Sequence, residues 1–370
     1  MEDAVKLPSG CVQECRACRH RSWSMEDSLR QKQDFLSRTL APWSDRLRAV
    51  RSVPAEQRWG YRGKVKLATR WLGHEWTFGM EPRDDFIAIP QCPVQSSLVT
   101  STFVILAKAM PAHDQWPLRF IVQNGALLTL ILKCQSLPAI SWLTMEVTSA
   151  LHAVGLRGLH VNLHPATGRI LFAKRGWHRL WGESRVQDAL GQWHGPSVFQ
   201  QLIPSLYAES LDLAEQHLAP NSETLVLDLY SGIGGSMKRW LGHRSRVVGI
   251  ECDGEAIECA QLNAPQAAVL RGLCAQRLPQ LREQVAPFEA EHRLIYANPP
   301  RLGLEPEVLT WIITECRPQR MAYLSCSPGT LRRDLLALTN AGYGVDALQP
   351  FDFFPQTHHV ETLALLHRIG

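Results

Sequence analysis

The spacing of hydrophobic and polar positions divides this chain near residue 195. Between about residues 45 and 190, short apolar runs rich in β-branched and aromatic residues are separated by turn residues, a pattern typical of β-strands. We expect this stretch to form an α+β domain with an antiparallel sheet. Its predicted strands are Gly63–Trp71, Glu75–Met80, Phe120–Val122, Leu127–Lys133, Gly158–Leu163 and Arg169–Lys174.

Beyond residue 195, apolar strands alternate with helical segments. Such alternation predicts a mostly parallel, doubly wound sheet. The last two strands have no helix between them, so we expect them to form an antiparallel pair at the sheet edge. The predicted strands are Thr224–Leu229, Arg246–Glu251, Ala267–Leu270, Arg293–Ala297, Met321–Ser325, Tyr343–Gln349 and Glu361–His367.

The first loop of the predicted parallel sheet is a candidate cofactor site. Asp228-Leu-Tyr-Ser-Gly-Ile-Gly-Gly235 follows a strand and opens a helix, and its glycines let the backbone approach a ligand closely. The next strand ends at Glu251, 19 residues after Gly232, where a carboxylate can accept hydrogen bonds from a ribose. These features indicate a nucleoside cofactor. The acidic start of the loop, without the full Gly-x-Gly-x-x-Gly spacing, favours S-adenosylmethionine over NAD.

A thiol stands at the end of another predicted strand. Met321–Ser325 leads directly to Cys326, and a helix is predicted from Gly329 to about Asn340. Ligands of open α/β sheets bind at the carboxyl ends of the strands. Cys326 is therefore a candidate nucleophile, although a strand cysteine is more often part of the core. The strand before it ends in Asn298-Pro-Pro-Arg301, whose prolines stiffen the loop and expose the asparagine.

Composition excludes several classes of protein. Hydrophobic residues make up 45% and charged residues 20% of the 370, as in ordinary globular proteins of two or three domains. No apolar run approaches the ~20 residues of a membrane span, and the N-terminus has no apolar signal core. We therefore expect a cytoplasmic protein without a membrane partner. Disulfides are rare there, so the ten cysteines are core thiols, metal ligands or catalytic groups.

Three of those cysteines lie close together near the N-terminus. Cys11, Cys15 and Cys18 fall within eight residues, and Cys-x-x-Cys is a metal-ligand spacing. Cys92 lies in a turn between prolines and is the candidate for a fourth ligand. Four thiolates suit either zinc or an iron–sulfur cluster, and the spacing leaves both open.

The N-terminal part of the chain is also basic. Residues 1–75 contain 15 Lys and Arg against 9 Asp and Glu, a surplus that suits a polyanionic partner. Trp59-Gly-Tyr-Arg-Gly-Lys-Val-Lys66 interleaves basic and aromatic residues, a pattern that can hold phosphates and stack bases. An ordinary solvated surface would give the same charge count, and a single strand with an exposed charged face the same interleaving.

Several stretches resemble the RNA uracil-C5 methyltransferases, which make 5-methyluridine. The N-terminal cysteines, Tyr61-Arg-Gly-Lys64 and the segment from Phe78-Gly to Cys92-Pro are similar to the bacterial 23S rRNA members that carry a [4Fe-4S] cluster. Only ten residues precede Cys11, so we expect the shorter subgroup without the β-barrel RNA-binding (TRAM) domain. The C-terminal stretches that carry the resemblance are Ser197-Val-Phe-Gln200, Asp228–Gly232, Asn298-Pro-Pro-Arg301, Ser325-Cys-Ser-Pro328 and Phe354-Pro-Gln-Thr-His-His-Val-Glu361.

The resemblance implies a fold and a set of site residues. The fold is a seven-stranded S-adenosylmethionine-dependent methyltransferase (Rossmann-like) domain with a small α+β domain and an N-terminal iron–sulfur segment. Cys326 and Glu361 would be catalytic. Cofactor residues would be Gln200, Tyr230, Glu251 and Asn298. The cluster would be [4Fe-4S], with zinc as the alternative, and its ligands would be Cys11, Cys15, Cys18 and Cys92.

The chemistry of uracil explains why a thiol and a carboxylate are both needed. Carbon 5 is a poor nucleophile, and a thiolate that adds to carbon 6 makes an enolate with electron density at carbon 5. After methylation a general base must remove the carbon-5 proton, the role that the resemblance gives to Glu361. The target would be a flipped-out uridine in a single strand or loop of 23S rRNA.

Some positions depart from the family pattern. Val198, Ser231, Ser327 and Gly63 replace the more usual residues, and the gap between Cys11 and Cys15 is short. None of these changes removes a reacting group. The departures at Val198 and Ser327 nevertheless allow a non-catalytic RNA-binding relative. A second alternative is a uracil-C5 methyltransferase that acts on tRNA.

The predicted organisation has three parts. Residues 1–45 hold the cysteines and a helix from Ser24, a plausible N-cap, to about Leu40. Residues 46–192 form an α+β RNA-binding domain that contributes the fourth cluster cysteine, and residues 193–370 form the methyltransferase domain. We expect a monomer.

Overall fold

The computed structural model describes residues 7–82, 85–166 and 170–369, which form two compact units. The first unit contains the described residues up to Ser22 together with Pro54–Leu202. The second contains Trp23–Val53 and the chain from Ile203 onward. Among the described residues, no helix is long and apolar enough to cross a membrane.

The helices and strands follow one another in chain order. Up to residue 200 they are α1 (Met25–Thr39), β1 (Lys64–Trp71), β2 (Trp76–Met80), β3 (Ile87–Ala88), α2 (Ser97–Ala109), β4 (Leu118–Asn124), β5 (Leu127–Leu132), α3 (Met145–Ala153), β6 (Gly158–Leu163), β7 (Trp177–Gly182), β8 (Val186–Gln187) and β9 (Trp193–His194). After residue 200 they are α4 (Pro204–Leu218), β10 (Leu225–Leu229), α5 (Gly235–Gly242), β11 (Arg246–Glu251), α6 (Gly254–Asn263), β12 (Ala268–Arg271), α7 (Leu278–Val285), β13 (Arg293–Ala297), α8 (Pro306–Trp311), β14 (Arg320–Ser325), α9 (Pro328–Asn340), β15 (Tyr343–Phe351) and β16 (Glu361–Arg368). Short 3₁₀ turns occur at Ala41–Arg46, Ala55–Arg58, Ala275–Arg277 and Ala290–His292, and a π-helical turn at Ile312–Cys316.

The first unit is built on a seven-stranded sheet in the order β3-β2-β1-β4-β5-β6-β7. Every pair is antiparallel except β5 and β6, which are parallel. The expectation of a purely antiparallel sheet is therefore wrong at this one pair. The reason is α3, which carries the chain from the end of β5 back to the start of β6, as parallel strands require.

One predicted strand of the first unit is also wrong. Residues 170–174 form no strand, and Arg169 lies outside the described residues. The amide of Asn162 accepts from the backbone N–H of Ala173 at 2.8 Å and donates to its carbonyl at 3.1 Å, so a side chain satisfies this backbone. The strand that pairs with β6 instead begins at Trp177.

The second unit contains a seven-stranded sheet in the order β12-β11-β10-β13-β14-β16-β15. The pairs among β10 to β14 are parallel, and β16 lies antiparallel between β14 and β15. This confirms the predicted doubly wound sheet and its antiparallel edge. Continuous burial of strands such as Leu225–Leu229 reflects helices on both faces.

The division between the units differs from the expected boundaries at residues 45 and 192. Helix α1 begins after Ser24, whose side chain accepts from the N–H of Asp27, as predicted for an N-cap. Its Leu36 is fully buried in the core of the second unit rather than packed beside the cysteines. Its Lys32 forms a buried ion pair with Asp352. Because these side chains of α1 are buried within the second unit, residues 23–53 belong to that unit. Residues 193–202 belong to the first unit.

Candidate active site

The turn after β10 has the shape of a ligand-binding loop. Tyr230 adopts φ +62° and Gly232 φ +55°, so the chain reverses sharply before α5 begins. A Cβ at Gly232 would meet no atom within 4 Å, so there is open space above the loop. The backbone of the loop is fixed below by the N–H of Ser231, which donates to the carbonyl of Ile250 at 2.9 Å.

Glu251, at the end of β11, ties this loop to the next one. Its carboxylate accepts from the N–H of Gly232 at 2.9 Å, of Cys252 at 2.7 Å and of Asp253 at 2.8 Å. Three backbone donors hold the carboxylate beside the open space above Gly232. The acid is therefore part of the loop architecture, and its second role as a ribose acceptor stays a prediction.

Asp228 lies beneath the loop and is fully buried. The indole N–H of Trp240 donates to its carboxylate at 2.8 Å. Burial raises the pKa of Asp228 to about 7, against the hydrogen bonds of Ser236 and Trp240, which lower it. A residue without access to solvent supports the loop rather than contacting a substrate.

The wall beside Tyr230 contains a residue that the sequence pattern did not single out. The carboxylate of Glu305, just before α8, accepts from the Tyr230 hydroxyl at 3.4 Å and from the N–H of Ala275 at 3.2 Å. Burial, followed by the charge of the Cys274 thiol, raises the pKa of Tyr230. The only sequence signal for Glu305 is its place before Pro306, which marks the start of a helix.

Asn298 lies at the carboxyl end of β13, the strand next to β10. Its backbone N–H donates to the carbonyl of Leu229 at 3.3 Å, and its side chain is half-buried. The Asn-Pro-Pro turn therefore lies beside the start of the Tyr230 loop. The sheet brings the two predicted cofactor loops together, as the carboxyl ends of adjacent parallel strands require.

Cys326 follows β14 directly and is half-buried. Ser325 and Ser327 fold the turn, with the N–H of Ser327 donating to the Ser325 hydroxyl at 3.3 Å. Burial and the nearby Glu361 carboxylate raise the pKa of the Cys326 thiol, whereas the Arg301 guanidinium lowers it. Arg301 is the second site residue to which the sequence gave no role, although it stands within the Asn-Pro-Pro-Arg motif.

The register of β14 and β16 places Glu361 beside Cys326. The ladder ends where Ser325 pairs with Thr362. Continued by one position, this register sets Cys326 opposite Glu361, whose charge acts on the thiol. Directly opposed residues of antiparallel strands project from the same face of the sheet. Glu361 is 3% exposed and starts β16. A thiol and a carboxylate therefore share one face at the carboxyl edge.

Gln200 lies in the first unit, apart in the chain from the loops above. It is half-buried, and its amide donates to the Asp188 carboxylate at 3.1 Å. Its expected contact with the cofactor stays a prediction.

The four predicted metal-ligating cysteines line one small apolar pocket in the first unit. Burial, followed by the charge of Cys92, raises the pKa of Cys18 to about 11. Gly10 makes the approach possible: it adopts φ +82°, and a Cβ there would overlap the backbone of Gln91. The pocket is lined by Gly10, Cys11, Val12, Cys15, Cys18, Arg21, Trp59, Ile89, Cys92, Pro93 and Val94.

The four cysteines share this pocket. In the described ranges, no group of three or more His, Cys, Asp or Glu side chains is placed to hold one metal ion. The loop that carries the first two cysteines is held by Arg21, which donates to the carbonyls of Val12 at 3.1 Å and Gln13 at 2.7 Å.

Comparison with known proteins agrees with the geometry of the second unit. Residues 211–369 match the sequence model of the tRNA (uracil-5-)-methyltransferase family. An uncharacterized RNA methyltransferase of Lactobacillus johnsonii is 27% identical over 352 residues, covering 88% of this chain and 76% of that protein. An uncharacterized RNA methyltransferase of Listeria monocytogenes is 26% identical, and the match covers 99% of this chain and 84% of that protein.

A solved structure shares the fold over most of the chain. The crystal structure of Pyrococcus abyssi tRNA (uracil-54, C5)-methyltransferase in complex with S-adenosyl-L-homocysteine superposes with a TM-score of 0.69. It is 21% identical in sequence, and the match covers 94% of this chain and 85% of that one. At this level of identity the likeness establishes a common fold.

Proposed function

We propose that this chain methylates carbon 5 of a specific uridine in 23S rRNA, because residues 211–369 match the tRNA (uracil-5-)-methyltransferase family and most of the chain is similar to uncharacterized RNA methyltransferases. The observation that carries the proposal is the end of the β14–β16 ladder, where Ser325 pairs with Thr362 and the Glu361 charge acts on the Cys326 thiol. Thiolate addition to carbon 6 and proton removal from carbon 5 act on adjacent atoms of one ring, so both groups must reach the same base.

The proposed steps use each group once. The Cys326 thiolate bonds to carbon 6, and the ring electrons move into an enolate. S-adenosylmethionine would supply the methyl group: the bond between carbon 5 and the methyl forms as the methyl–sulfur bond of the sulfonium breaks, and neutral S-adenosylhomocysteine is the leaving group. Glu361 then removes the carbon-5 proton, the double bond re-forms, and the thiolate departs. The target base must be flipped out of its stack to reach a half-buried thiol.

The loops around the site fit S-adenosylmethionine. The space above Gly232 is open, and Glu251 is fixed beside it by three backbone donors. We propose that Glu251 holds the ribose, and that Tyr230 and Asn298 line the remainder of the pocket. We also propose that Gln200, in the Ser-Val-Phe-Gln segment, takes part in cofactor binding.

The cysteine pocket of the first unit is the proposed site of an iron–sulfur cluster. We propose that Cys11, Cys15, Cys18 and Cys92 hold [4Fe-4S], because the N-terminal cysteines resemble those of the cluster-carrying 23S rRNA members and all four cysteines line one pocket. Brown protein with stoichiometric iron and sulfide is expected, and colourless protein with one zinc would replace the cluster in this proposal.

A tRNA substrate is the alternative with a specific observation behind it. The matching family model and the Pyrococcus abyssi enzyme are both named for tRNA. The cysteine pocket favours 23S rRNA, because its N-terminal cysteines resemble those of the 23S rRNA members of the family. Tritiated methyl transfer to transcripts of each RNA separates the two. A chain that binds S-adenosylmethionine and RNA but methylates neither would be a non-catalytic relative. We further propose that it acts as a monomer in the cytoplasm, where thiols remain reduced.

A covalent trap tests the mechanism. RNA containing 5-fluorouridine has no removable proton at carbon 5, so the protein should remain bonded to it after methyl transfer. We expect a denaturation-resistant adduct whose mass maps to Cys326, and no adduct with Cys326→Ser. Cys134→Ser, a half-buried cysteine of the first unit outside the proposed sites, is the matched control and should trap normally. An adduct that survives in Cys326→Ser would sink this mechanism.

A further inference from the structure

One face of the sheet in the first unit combines cations with aromatic rings. Along β1, Val65 and Leu67 point into the core, and Lys66 and Arg70 are exposed on the opposite face. Alternate residues of a strand share a face. The exposed side of β1 is therefore basic, while the other side is packed against the core.

Small residues on this face make room for two rings. Ala68 pairs with Phe120 on β4 and with Gly79 on β2, so these three positions form one row across the sheet. A Cβ at Gly79 would overlap the Ile87 carbonyl oxygen and come within 2.9 Å of the Phe86 ring, so only glycine fits beneath the segment that carries this ring. Phe86 and Phe120 thus stand on either side of Ala68.

The rings hold the cations in place. Lys66 Nζ lies 4.4 Å and Arg119 Cζ lies 4.5 Å from the centroid of Phe120. Arg70 Cζ lies 4.5 Å from the centroid of Phe86. Cation–π contacts of this length orient the charged groups without neutralising them. These five residues are called the Phe86–Phe120 surface below.

Charge on this surface is only partly compensated. Arg119 forms an ion pair with Glu81, and the described contacts of Lys66 and Arg70 are to the rings. Burial and the neighbouring Arg119 lower the pKa of Lys66, with Glu81 acting against them. Two cations against one ring repel each other, and an anion between them would relieve that repulsion.

The first unit as a whole also carries a net positive charge. Its sequence contains 19 Lys and Arg against 12 Asp and Glu, a surplus of 7, whereas the second unit has 20 against 23. The net charge of +4 therefore hides a basic first unit and a slightly acidic second unit. A polyanion would be attracted to the first unit.

We propose that the Phe86–Phe120 surface binds the phosphate backbone of the RNA substrate. Lys66, Arg70 and Arg119 replace counterions along the backbone, and the rings fix their positions. The inference rests on the proposed function for the identity of the RNA. Its electrostatic content does not, because backbone binding is independent of sequence.

The test replaces the two exposed cations together, as Lys66→Gln/Arg70→Gln. The probes are a single-stranded uridine oligomer of about 20 nucleotides and a 23S rRNA transcript. Affinity for both should fall by about 10-fold at about 100 mM salt, and the slope of log Kd against log salt should decrease by about 1.4 for two lost contacts. The rate at saturating RNA should not change. The matched control is Lys108→Gln/Lys133→Gln, two exposed cations of the same unit outside the surface.

The outcomes separate this inference from the proposed function. Equal affinities and equal salt slopes for the two double variants would overturn the inference, whether or not RNA is methylated. Absence of methyl transfer and of the fluorouridine adduct in the wild-type protein would overturn the proposed function, while a specific loss of oligomer binding would still support the surface. Phe120→Leu is a second test variant, which keeps every cation but removes the ring. We expect its affinity for both RNAs to fall by less, about 3-fold.

Discussion

At the scale of single residues, the reactivity of Cys326 depends on charges around its thiol. The thiolate is the nucleophile, so a raised pKa reduces the reactive fraction at neutral pH. Burial and Glu361 act in that direction, and Arg301 acts against them. Arg301 therefore favours the thiolate form of Cys326. The motif alone did not reveal this role, because the sequence does not show which side chains face the thiol.

We expect Arg301→Gln to slow covalent addition by about 3- to 10-fold at neutral pH, since loss of a nearby positive charge raises the pKa of Cys326 further. Below both pKa values the thiolate fraction of the two proteins differs by a constant factor. As pH rises through the pKa, that difference shrinks. Single-turnover adduct formation from pH 6.5 to about 9.5 measures it. Arg332→Gln, an exposed cation on α9, is the control. A defect of equal size at every pH would contradict the electrostatic role.

The residues predicted from sequence are those whose type and position carry chemistry. Cys326 and Glu361 stand at strand ends, next to the last residue pair of the ladder between β14 and β16. Glu305 and Arg301 escaped because their roles depend on what they face. Glu305 contacts Tyr230, 75 positions away in the chain, and no periodicity records such a contact.

At the scale of elements, the predicted strand bounds are correct where a buried strand gives a clear apolar run in the sequence. Arg246–Glu251, Gly158–Leu163 and Arg293–Ala297 have the predicted bounds, because each is an apolar run between turn residues. The run at residues 170–174 is also apolar but pairs with a side-chain amide instead of a strand. Local pattern indicates burial, and the partner that completes the hydrogen bonds is a tertiary matter.

Helix α1 shows a second limit of local pattern. Its periodicity predicts a helix, but not its partner. Lys32 and Asp352 are both fully buried, and Lys32 also donates to the carbonyl of Phe354 at 3.2 Å. Ser52 adds a hydrogen bond to Asp352 at 3.1 Å. The segment between β15 and Glu361 is thereby tied to an element more than 300 positions earlier in the chain.

Breaking this ion pair should destabilise the protein strongly. Lys32→Met leaves the Asp352 charge buried without its ammonium partner, which costs about 3–5 kcal/mol of unfolding free energy. Urea unfolding measures the loss. Lys32→Met/Asp352→Asn removes both charges and should recover much of it. Arg30→Gln on the exposed side of the same helix should change little, because its ion pairs with Glu26 and Asp27 are exposed to solvent. A Lys32→Met protein as stable as wild type would show that the pair contributes nothing.

The loop that Lys32 holds leads directly to Glu361, so the same variant has a kinetic consequence. We expect proton removal to slow more than thiolate addition, so that an adduct with ordinary RNA accumulates in Lys32→Met at a temperature where it remains folded. A uniform fall in both steps would assign the ion pair to stability alone.

At the scale of the whole molecule, the chain passes between the two units three times, after Ser22, after Val53 and after Leu202. The proposed cluster lies within one of them. It would link the segment of Cys11–Cys18 to the turn at Cys92, two parts of the first unit that are separated in the chain by Trp23–Val53 of the second unit, while the second unit keeps its own core.

Loss of the cluster should therefore loosen one unit and spare the other. We expect Cys18→Ser, or chelation of the metal, to increase amide hydrogen exchange in residues 8–22 and 89–95 and to weaken RNA binding. Exchange in β10–β14 and affinity for S-adenosylmethionine should stay unchanged, because the cofactor loops pack on the core of the second unit. Cys134→Ser is the matched control, since that half-buried cysteine lies outside the pocket. Equal exchange increases in both units would mean that the cysteine pocket stabilises the whole molecule, and the separation of RNA binding from cofactor binding would then fail.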